Sequence, residues 1–384
     1  MALDMWQCLQ KNKMKICFLT TYFNENRGGS EVYANLFRSL KGTHQFTVMT
    51  ARSIAAEPAW ETVIVPTKTS HSYAWVSDRR FARNCIRALR QWHMREHFDL
   101  IIVNQVIARN LVGLKEFGIP VLYVIHHPVS ADIALAQEET PSFLERLKWR
   151  LRYWGMWRTQ QYLTKAFDHL LTVSESSQQR IAADYGIPPE KIHVIYNGID
   201  VDFFHKTQPT QSKTILTLGS YHHPRRGFRY LREIYARLAA RGYRIIDVGR
   251  RSDEQDAQMA NIPNVASLGL VEKSRLPDLY SQASVVVSTA LFEGFGLTIA
   301  EALACQTPIV AFAAGGVIDV LQRVDPWLLC PLRDVDQLIE KVEALASDAH
   351  PFDGTKAREA IVTHFSRTQM AQHYERLFRS LVSK

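Results

Sequence analysis

The sequence has few cysteines and no long hydrophobic run. Its 384 residues include five cysteines, an odd number without a C-x-x-C pair, so neither a disulfide framework nor a zinc site is indicated. No apolar run approaches the roughly 20 residues that a membrane-spanning helix needs. The first residues also lack the layout of a signal peptide. These absences favour a protein of the reducing cytoplasm that is neither exported nor membrane-spanning.

Two common motifs for nucleotides and metals give no support either. The chain contains no G-x-G-x-x-G dinucleotide fingerprint. Asp200-Val-Asp202 has the spacing of an Asp-x-Asp metal motif, but it follows an Asn-Gly turn next to a polar linker. We therefore expect no metal and no cofactor. The net charge of +8 favours an anionic partner, which is a nucleic acid, an anionic lipid or a phosphorylated ligand.

The most informative stretch runs from Ser288 to Ala304. An apolar run predicts a buried strand, Glu293-Gly-Phe-Gly296 predicts a turn, and the residues from Leu297 onward predict a helix. The first N–H groups of such a helix have no partner within it, so a diphosphate could bind there. The carboxylates of Glu293 and Glu301 are suitable acceptors for sugar and ribose hydroxyls. The alternative is a surface turn followed by an ordinary helix glutamate.

Apolar runs alternate with helical patterns along the whole chain, which predicts two doubly wound α/β sheets. The predicted strands lie at 15–20, 100–103, 121–125 and 170–173, and then at 214–218, 244–248, 285–287 and 309–311. The segment 206–213 is polar and contains proline, so we expect a domain linker there. Ligands are expected at the carboxyl ends of the strands, where His126 and the Gly28-Gly29 loop lie.

Several motifs together resemble the family-four glycosyltransferases (glycosyl transferases group 1), which have the GT-B fold. They are Glu293-x7-Glu301 followed by Pro308-Ile-Val-Ala-Phe-Ala-Ala-Gly-Gly316, Pro120-Val-Leu-Tyr-Val-Ile-His126, Val173-Ser-Glu-Ser176 and Tyr196-Asn-Gly-Ile-Asp200. The resemblance implies two Rossmann-like domains facing each other across a cleft. We expect a disordered extension at 1–13, an acceptor domain at 14–205 with a returning helix at 366–384, and a donor domain at 214–365.

The resemblance also implies roles for individual residues. Glu293, His126 and Arg226 match catalytic positions of the family. Donor binding is implied for Gly29, Gly219, Arg225, Phe295, Gly296, Leu297 and Glu301. The family pattern has Gly-Arg followed by a lysine, and the sequence departs from it with Ser220 at the arginine position and Arg226 at the lysine position. Either Arg225, His222 or His223 compensates, or stabilisation of the leaving group is weaker.

Two basic segments in the first half are unusual. Residues 79–95 and 146–165 each carry six basic residues and no acid, and Trp149, Tyr153 and Trp157 recur at helical spacing in the second. Basic amphipathic helices with aromatic anchors suit an anionic membrane surface. The alternatives are that the apolar faces pack on the sheet, or that the charge binds nucleic acid, for which no motif is present.

We therefore expect a retaining, metal-independent glycosyltransferase. By the resemblance it moves a sugar from a UDP- or GDP-linked donor to a hydroxyl of a glycan or lipid-linked acceptor, in cell-surface polysaccharide or glycolipid synthesis. It would be cytoplasmic and peripheral on the inner face of the cell membrane. The alternatives are a non-catalytic subunit that binds nucleotide sugars, and another GT-B enzyme such as an epimerase or phosphorylase.

Overall fold

The structure is a computed structural model that describes residues 13–23, 28–52, 57–67, 74–93 and 97–383. The predicted extension, apart from Lys13, lies outside these ranges. So do residues 94–95 of the first basic segment.

The first half of the chain forms a seven-stranded parallel sheet in the order β3-β2-β1-β4-β5-β6-β7. Its central strands are apolar and buried on both faces because helices cover both sides of a parallel sheet. The strands are β1 (Lys15–Thr20), β2 (Gln45–Thr50), β3 (Glu61–Ile64), β4 (Leu100–Asn104), β5 (Val121–Ile125), β6 (His169–Thr172) and β7 (Ile192–Val194).

Five α-helices and two 3₁₀ segments connect these strands in the described part of the chain. The α-helices are α1 (Gly28–Leu40), α2 (Ala74–His93), α3 (Val129–Glu139), α4 (Phe143–Ala166) and α5 (Glu175–Tyr185), and the 3₁₀ segments are Arg109–Phe117 and Pro189–Lys191. Ser142 begins α4, and its hydroxyl accepts the Glu145 N–H.

The second half forms a six-stranded parallel sheet in the order β10-β9-β8-β11-β12-β13. Its strands are β8 (Thr214–Ser220), β9 (Arg244–Arg250), β10 (Val265–Gly269), β11 (Val285–Ser288), β12 (Ile309–Phe312) and β13 (Leu329–Cys330). Its helices are α6 (Phe228–Ala240), α7 (Asp253–Met259), α8 (Leu276–Gln282), α9 (Leu297–Ala304), α10 (Gly316–Val324), α11 (Val335–Ala346) and α12 (Gly354–Phe365). Three 3₁₀ segments join them, at Pro224–Arg226, Lys273–Arg275 and Pro326–Leu328.

The last helix, α13 (Arg367–Val382), lies on the first sheet rather than the second. Met370, Tyr374 and Phe378 are buried in the same core as β1 and α1. The hydroxyls of Tyr374 and Tyr33 are 3.0 Å apart and hydrogen-bonded. The chain therefore forms two Rossmann-like α/β units facing each other across a cleft, and the predicted fold class is confirmed.

Helix α2 carries most of the first basic segment, and its apolar face is part of the core. Phe81, Cys85 and Leu89 are buried, and Trp92 packs against the same cluster. Of the explanations offered by the sequence, packing on the sheet is the one that the structure shows for this helix. No helix in the described ranges has the length and apolar character needed to cross a bilayer.

Candidate functional site

The turn between β11 and α9 lies at the cleft, as its sequence predicts. Gly296 has a φ of 93° and comes immediately before α9, so the backbone reverses direction at a residue that tolerates this conformation. The Gly316 N–H donates to the Glu293 carbonyl oxygen at 2.8 Å, which ties the turn to the loop after β12. The first amides of α9 therefore have a fixed position at the carboxyl edge of the second sheet.

The side chains of Phe295 and Leu297 belong to the core. Phe295 is buried, and its ring lies 6.1 Å from that of Tyr196 and 5.6 Å from that of Phe365. Leu297 packs against core residues of both halves of the chain. Any contact of these two residues with a donor would therefore be made by their backbone amides.

Arg225 and Arg226 stand beside Glu293 in the 3₁₀ segment after β8. Their carbonyl oxygens accept hydrogen bonds from the Leu291 N–H at 2.7 Å and the Thr289 hydroxyl at 3.0 Å, so two backbone positions hold this segment on the turn. Arg226 Nη1 donates to the Glu293 carboxylate. Arg225 Nη1 lies 3.7 Å from Glu293 Oε2. The structure thus brings three residues predicted for the site into one cluster.

The serine in place of the family arginine has a cationic neighbour. Ser220 is exposed at the end of β8, and its partner in the parallel register is Arg250, while Gly219 pairs with Gly249. Side chains of paired residues stand on the same face of a sheet. The sequence prediction did not include Arg250. The sequence pattern that could have indicated Arg250 is that two successive strands end alike, in Gly219-Ser220 and Gly249-Arg250.

His126 follows β5 and faces the cleft from the first half. Its Nε2 is hydrogen-bonded to Asn104 Oδ1 at 2.7 Å. Burial, together with the neighbouring His127, lowers the pKa of His126 to about 4, so the ring is neutral at pH 7. A Cβ atom at Gly29 would lie 3.6 Å from His126 Cε1, which places the start of α1 directly over the imidazole. Gly29 and His126 are therefore adjacent, as the predicted site requires.

Glu301 lies one turn into α9, near charged residues of both halves. The Tyr280 hydroxyl donates to Glu301 Oε2 at 2.8 Å. Burial raises the pKa of Glu301 to about 7 and Glu31 adds to the rise, whereas Tyr280 and Lys273 oppose it. Lys273 forms an ion pair with Glu31 of α1, so this pair crosses the cleft beside Glu301. The sequence prediction included neither Lys273 nor Glu31.

Asp132 is a buried carboxylate that the sequence prediction also missed. It lies in α3, and its Oδ2 is 2.9 Å from His127 Nε2. Its Oδ1 is 3.2 Å from Arg225 Nε and 3.8 Å from His223 Nε2, so the carboxylate reaches across the cleft. Burial alone would raise the pKa of Asp132, but His127, Arg225 and His223 outweigh it and lower that pKa to about 2. Asp132 therefore carries a full negative charge at neutral pH.

His223 completes this side of the site. Its Nδ1 accepts the Arg225 N–H at 3.1 Å, which caps the 3₁₀ segment. Burial lowers the pKa of His223 to about 4, against the opposing charge of Asp132. Among the described residues, no group of three His, Cys, Asp or Glu side chains is arranged to hold a metal ion.

Two Rossmann-like units with cations, carboxylates and a helix amino terminus at their facing edges define a protein of the GT-B class. Solved structures agree with this fold. Sucrose-phosphate synthase from Thermosynechococcus elongatus superposes with a TM-score of 0.77 at 19% identity, over 97% of this chain and 100% of that one. HepE of Anabaena, solved in complex with UDP-glucose, superposes with a TM-score of 0.68 at 18% identity. The superposition covers 96% of this chain and 100% of that one.

Sequence comparisons identify the family. The model of Glycosyltransferase Family 4 matches residues 27–203, and that of Glycosyl transferases group 1 matches residues 212–348. The chain belongs to the family-four glycosyltransferases, as its motifs predicted.

Two curated relatives illustrate the distance within the family. The MMP alpha-(1->4)-mannosyltransferase of Mycolicibacterium hassiacum is 27% identical over 246 residues, which are 59% of this chain and 56% of that protein. A D-inositol 3-phosphate glycosyltransferase of Kribbella flavida is 24% identical over 264 residues, 62% of this chain and 60% of that protein. The matches thus span little more than half the length of these relatives.

Proposed function

We propose that the protein is a retaining glycosyltransferase that uses a nucleoside-diphosphate sugar. The observation that carries this proposal is the convergence of Arg225, Arg226 and Glu293 with His126 and Gly29 across one cleft. Two guanidinium groups and the amides of a helix start supply the positive field that a diphosphate needs, so we propose that transfer requires no metal. HepE of Anabaena, which shares the fold, was solved with UDP-glucose.

The donor would lie mainly on the second half of the chain. Glu301 would accept hydrogen bonds from the ribose hydroxyls, and the amides of Phe295, Gly296 and Leu297 would hold the diphosphate. A Cβ atom at Gly219 would lie 3.1 Å from the Tyr221 ring, and the diphosphate would approach the bare backbone at this end of β8. Closure of the first half over this edge would exclude water from the reacting centre.

The transfer step breaks the bond between the anomeric carbon and the diphosphate oxygen. The acceptor oxygen bonds to the same face of that carbon, and its proton passes to the departing diphosphate oxygen. Arg226 would stabilise the negative charge that develops on the diphosphate, an effect worth about 100-fold in rate for one donor. His126, neutral at pH 7, would orient the donor sugar through a hydrogen bond, and Glu293 would hold the sugar and the two guanidinium groups.

A thermal-shift experiment with UDP, GDP, ADP and dTDP, alone and as sugar conjugates, tests the proposal. A ligand at 100 times its dissociation constant adds about 2.7 kcal/mol to the free energy of unfolding. We expect one nucleotide class to stabilise the protein and Glu301→Ala to weaken that effect. Binding without transfer or donor hydrolysis would favour the non-catalytic alternative instead.

On the acceptor side, we propose that α4 lies on an anionic membrane surface that presents a lipid-linked acceptor. Six large apolar or aromatic side chains on this helix are exposed, with accessible fractions of 74% for Phe143, 66% for Leu144, 43% for Leu147, 71% for Leu151, 57% for Trp154 and 43% for Tyr162. At about 3.6 residues per turn, they share an arc of roughly 100°. A continuous apolar stripe on the surface indicates an interaction site.

The charges on α4 suit the same partner. Lys148, Arg150 and Arg152 are exposed and flank the apolar arc on both sides, as in helices that lie in the plane of a membrane interface. The aromatic residues that the sequence suggested as anchors face the protein instead. The Trp149 ring lies 5.1 Å from the His223 ring, and Trp157 packs on the core between the first sheet and α2. The contact is therefore proposed for a different face of the segment 146–165.

A further inference from the structure

Asp132 belongs to the first half of the chain, but it contacts a cation of the second half. We propose that Asp132 is a positioning residue for Arg225, which it holds in place for the departing diphosphate only when the two halves are closed. This inference rests on the proposed transfer function. It assigns to a residue of the first half a role in orienting a donor-binding residue of the second half.

The geometry of Arg225 supports this role. Nε lies 3.2 Å from Asp132 Oδ1 in an ion pair without a hydrogen bond, and Nη1 donates to the Phe292 carbonyl oxygen at 3.3 Å. The guanidinium group is therefore held along two directions, one from each half of the cleft. Nη2 makes no hydrogen bond to another described residue, so one donor of the planar fork remains for a phosphate oxygen.

The need for this cation follows from the departure at Ser220. A family arginine is absent there, and Ser220 carries no charge that could replace it. Arg225 lies one residue before Arg226, on the same 3₁₀ segment, so it approaches the same diphosphate. A long side chain on a short segment loses rotamer entropy when it is fixed, and a buried carboxylate at its Nε offsets that cost before the ligand binds.

Asp132 itself depends on the contact. The carboxylate is buried, and its two oxygens face His127 on one side and Arg225 with His223 on the other. Removing Arg225 leaves the buried carboxylate of Asp132 with less opposing charge, and an uncompensated buried charge destabilises the fold. The effects of substituting Asp132 and Arg225 should therefore not be additive, and a double-mutant cycle measures the interaction between them.

The same helix provides a matched control. Glu139, two turns after Asp132 in α3, is also buried and also reaches the second half, where it lies 3.1 Å from Arg229 and 3.0 Å from Arg333. It does not contact Arg225 or Glu293. A residue that only docks the two halves would behave like Glu139, whereas a positioning residue would not.

The experiment compares Asp132→Asn, Arg225→Ala, the double variant and Glu139→Gln. Initial rates would be measured with the nucleotide sugar that stabilises the wild-type protein. We expect Asp132→Asn to lower kcat about 10- to 100-fold while the donor KM stays within about threefold, because the lost charge acts on the leaving group. In the Arg225→Ala background the same change should have almost no further effect. Glu139→Gln should leave kcat within about twofold.

Calorimetric titration with the free nucleoside diphosphate repeats the cycle without turnover. The product carries the charge that Arg225 addresses, so Asp132→Asn should weaken its binding about tenfold in the wild-type background only. Independent, additive losses in the two backgrounds would overturn the inference, and so would equal effects of Asp132→Asn and Glu139→Gln. If Asp132→Asn does not fold, Asp132→Ser takes its place in the cycle.

The two proposals can fail separately. If the wild-type protein binds the nucleoside diphosphate but neither transfers nor hydrolyses the donor sugar, the proposed function is wrong, and the binding cycle still tests the position of Arg225. If turnover is normal and the cycle is additive, the function stands and the role of Asp132 is wrong.

Discussion

The backbone of Gly294 meets the carbonyl oxygen of His126 so closely that a Cβ atom added at position 294 would lie 2.1 Å from that oxygen. This approach joins the turn of the second sheet to the end of β5 in the first. The Ser177 hydroxyl strengthens the junction by donating to the Gly294 carbonyl oxygen at 3.2 Å. The glycine in this turn is therefore required by the contact between the two halves, in addition to any role with a ligand.

Gly294→Ala should separate the two halves of the site. A Cβ atom cannot be accommodated 2.1 Å from a backbone oxygen, so the turn or β5 must move. We expect at least a 100-fold loss of transfer, since a shift of about 1 Å at a reacting centre has that effect. Steady-state rates and a thermal melt check this. Gly155→Ala is the control, because a Cβ atom there meets nothing within 4 Å. Normal transfer by Gly294→Ala would contradict the closed arrangement.

The strands that the sequence predicted correctly are those whose apolar runs are long and buried on both faces. The prediction missed β2, β3, β7, β10 and β13. Glu61–Ile64 and Val265–Gly269 are partly exposed edge strands, and Ile192–Val194 and Leu329–Cys330 have only three and two residues. The buried strand Gln45–Thr50 was missed because polar residues interrupt its apolar run. Short or edge strands do not bury enough side chains to leave a pattern. The predicted domain boundaries and the hinge at 206–213 stay predictions, because the fold alone does not show where the chain bends.

Spacing associated only the candidate-site residues that follow one another along the chain, whereas Gly29, His126 and Arg226 were assigned through the resemblance to the family. Glu293, Gly296 and Glu301 share a single strand, turn and helix, so spacing was enough to associate them. Asp132 and Arg250 were missed because each acquires its significance from a partner on another element. The spacing of Trp149 and Tyr153 indicated a helical face, but spacing cannot tell which face of a helix meets the protein.

Glu293→Ala should separate catalysis from binding. The carboxylate contacts Arg226 and Arg225 rather than any group expected to hold the nucleoside. We expect transfer to be abolished while the affinity for the nucleoside diphosphate stays within a few-fold, because both guanidinium groups remain. Calorimetry and a radiolabelled transfer assay provide the two readings. A variant that transfers at the wild-type rate would remove Glu293 from the proposed mechanism.

The cation that replaces the family arginine can be identified by substitution. Arg225→Ala and Arg250→Ala each remove one candidate, and Ser220→Arg restores the family residue at the end of β8. If Arg225 has this role, Arg225→Ala lowers kcat about 100-fold and Ser220→Arg recovers part of the loss. Arg250→Ala then changes kcat less than fivefold. The reverse order of the two losses would assign the role to Arg250, whose side chain stands beside Ser220 in the sheet register.

Membrane binding by α4 can be measured by cosedimentation with lipid vesicles. Leu147→Glu with Leu151→Glu should lower the bound fraction on vesicles with about 30% anionic lipid, since the change places charge in the apolar arc. Each basic residue near such a surface contributes about 1 kcal/mol, so binding should also fall with salt. Leu268→Glu with Leu270→Glu is the matched control, because these exposed leucines lie in the second half. Equal losses for both pairs would exclude α4 as the contact.

The stability of the protein should report the titration of Glu301. Burial raises the pKa of this carboxyl from 4.5 to about 7, so between those values the folded protein holds a proton that the unfolded chain has released. The free energy of unfolding must then fall as pH rises through this window, because the folded state binds more protons. The fall amounts to about 3–4 kcal/mol across the whole window, since each unit of pKa corresponds to about 1.4 kcal/mol.

Urea denaturation of the wild-type protein and Glu301→Gln at pH 5, 6 and 7.5 tests this. The glutamine does not titrate, so the free energy of unfolding of the wild type minus that of the variant should decrease steadily from pH 5 to pH 7.5. Glu340→Gln, at an exposed position in α11, is the control for removing a carboxylate charge from the surface. Nucleotide binding should show the opposite trend, because ribose hydroxyls donate more strongly to the ionised carboxylate. A pH-independent difference for Glu301→Gln would mean that the carboxyl is ionised throughout, with Lys273 compensating for its burial.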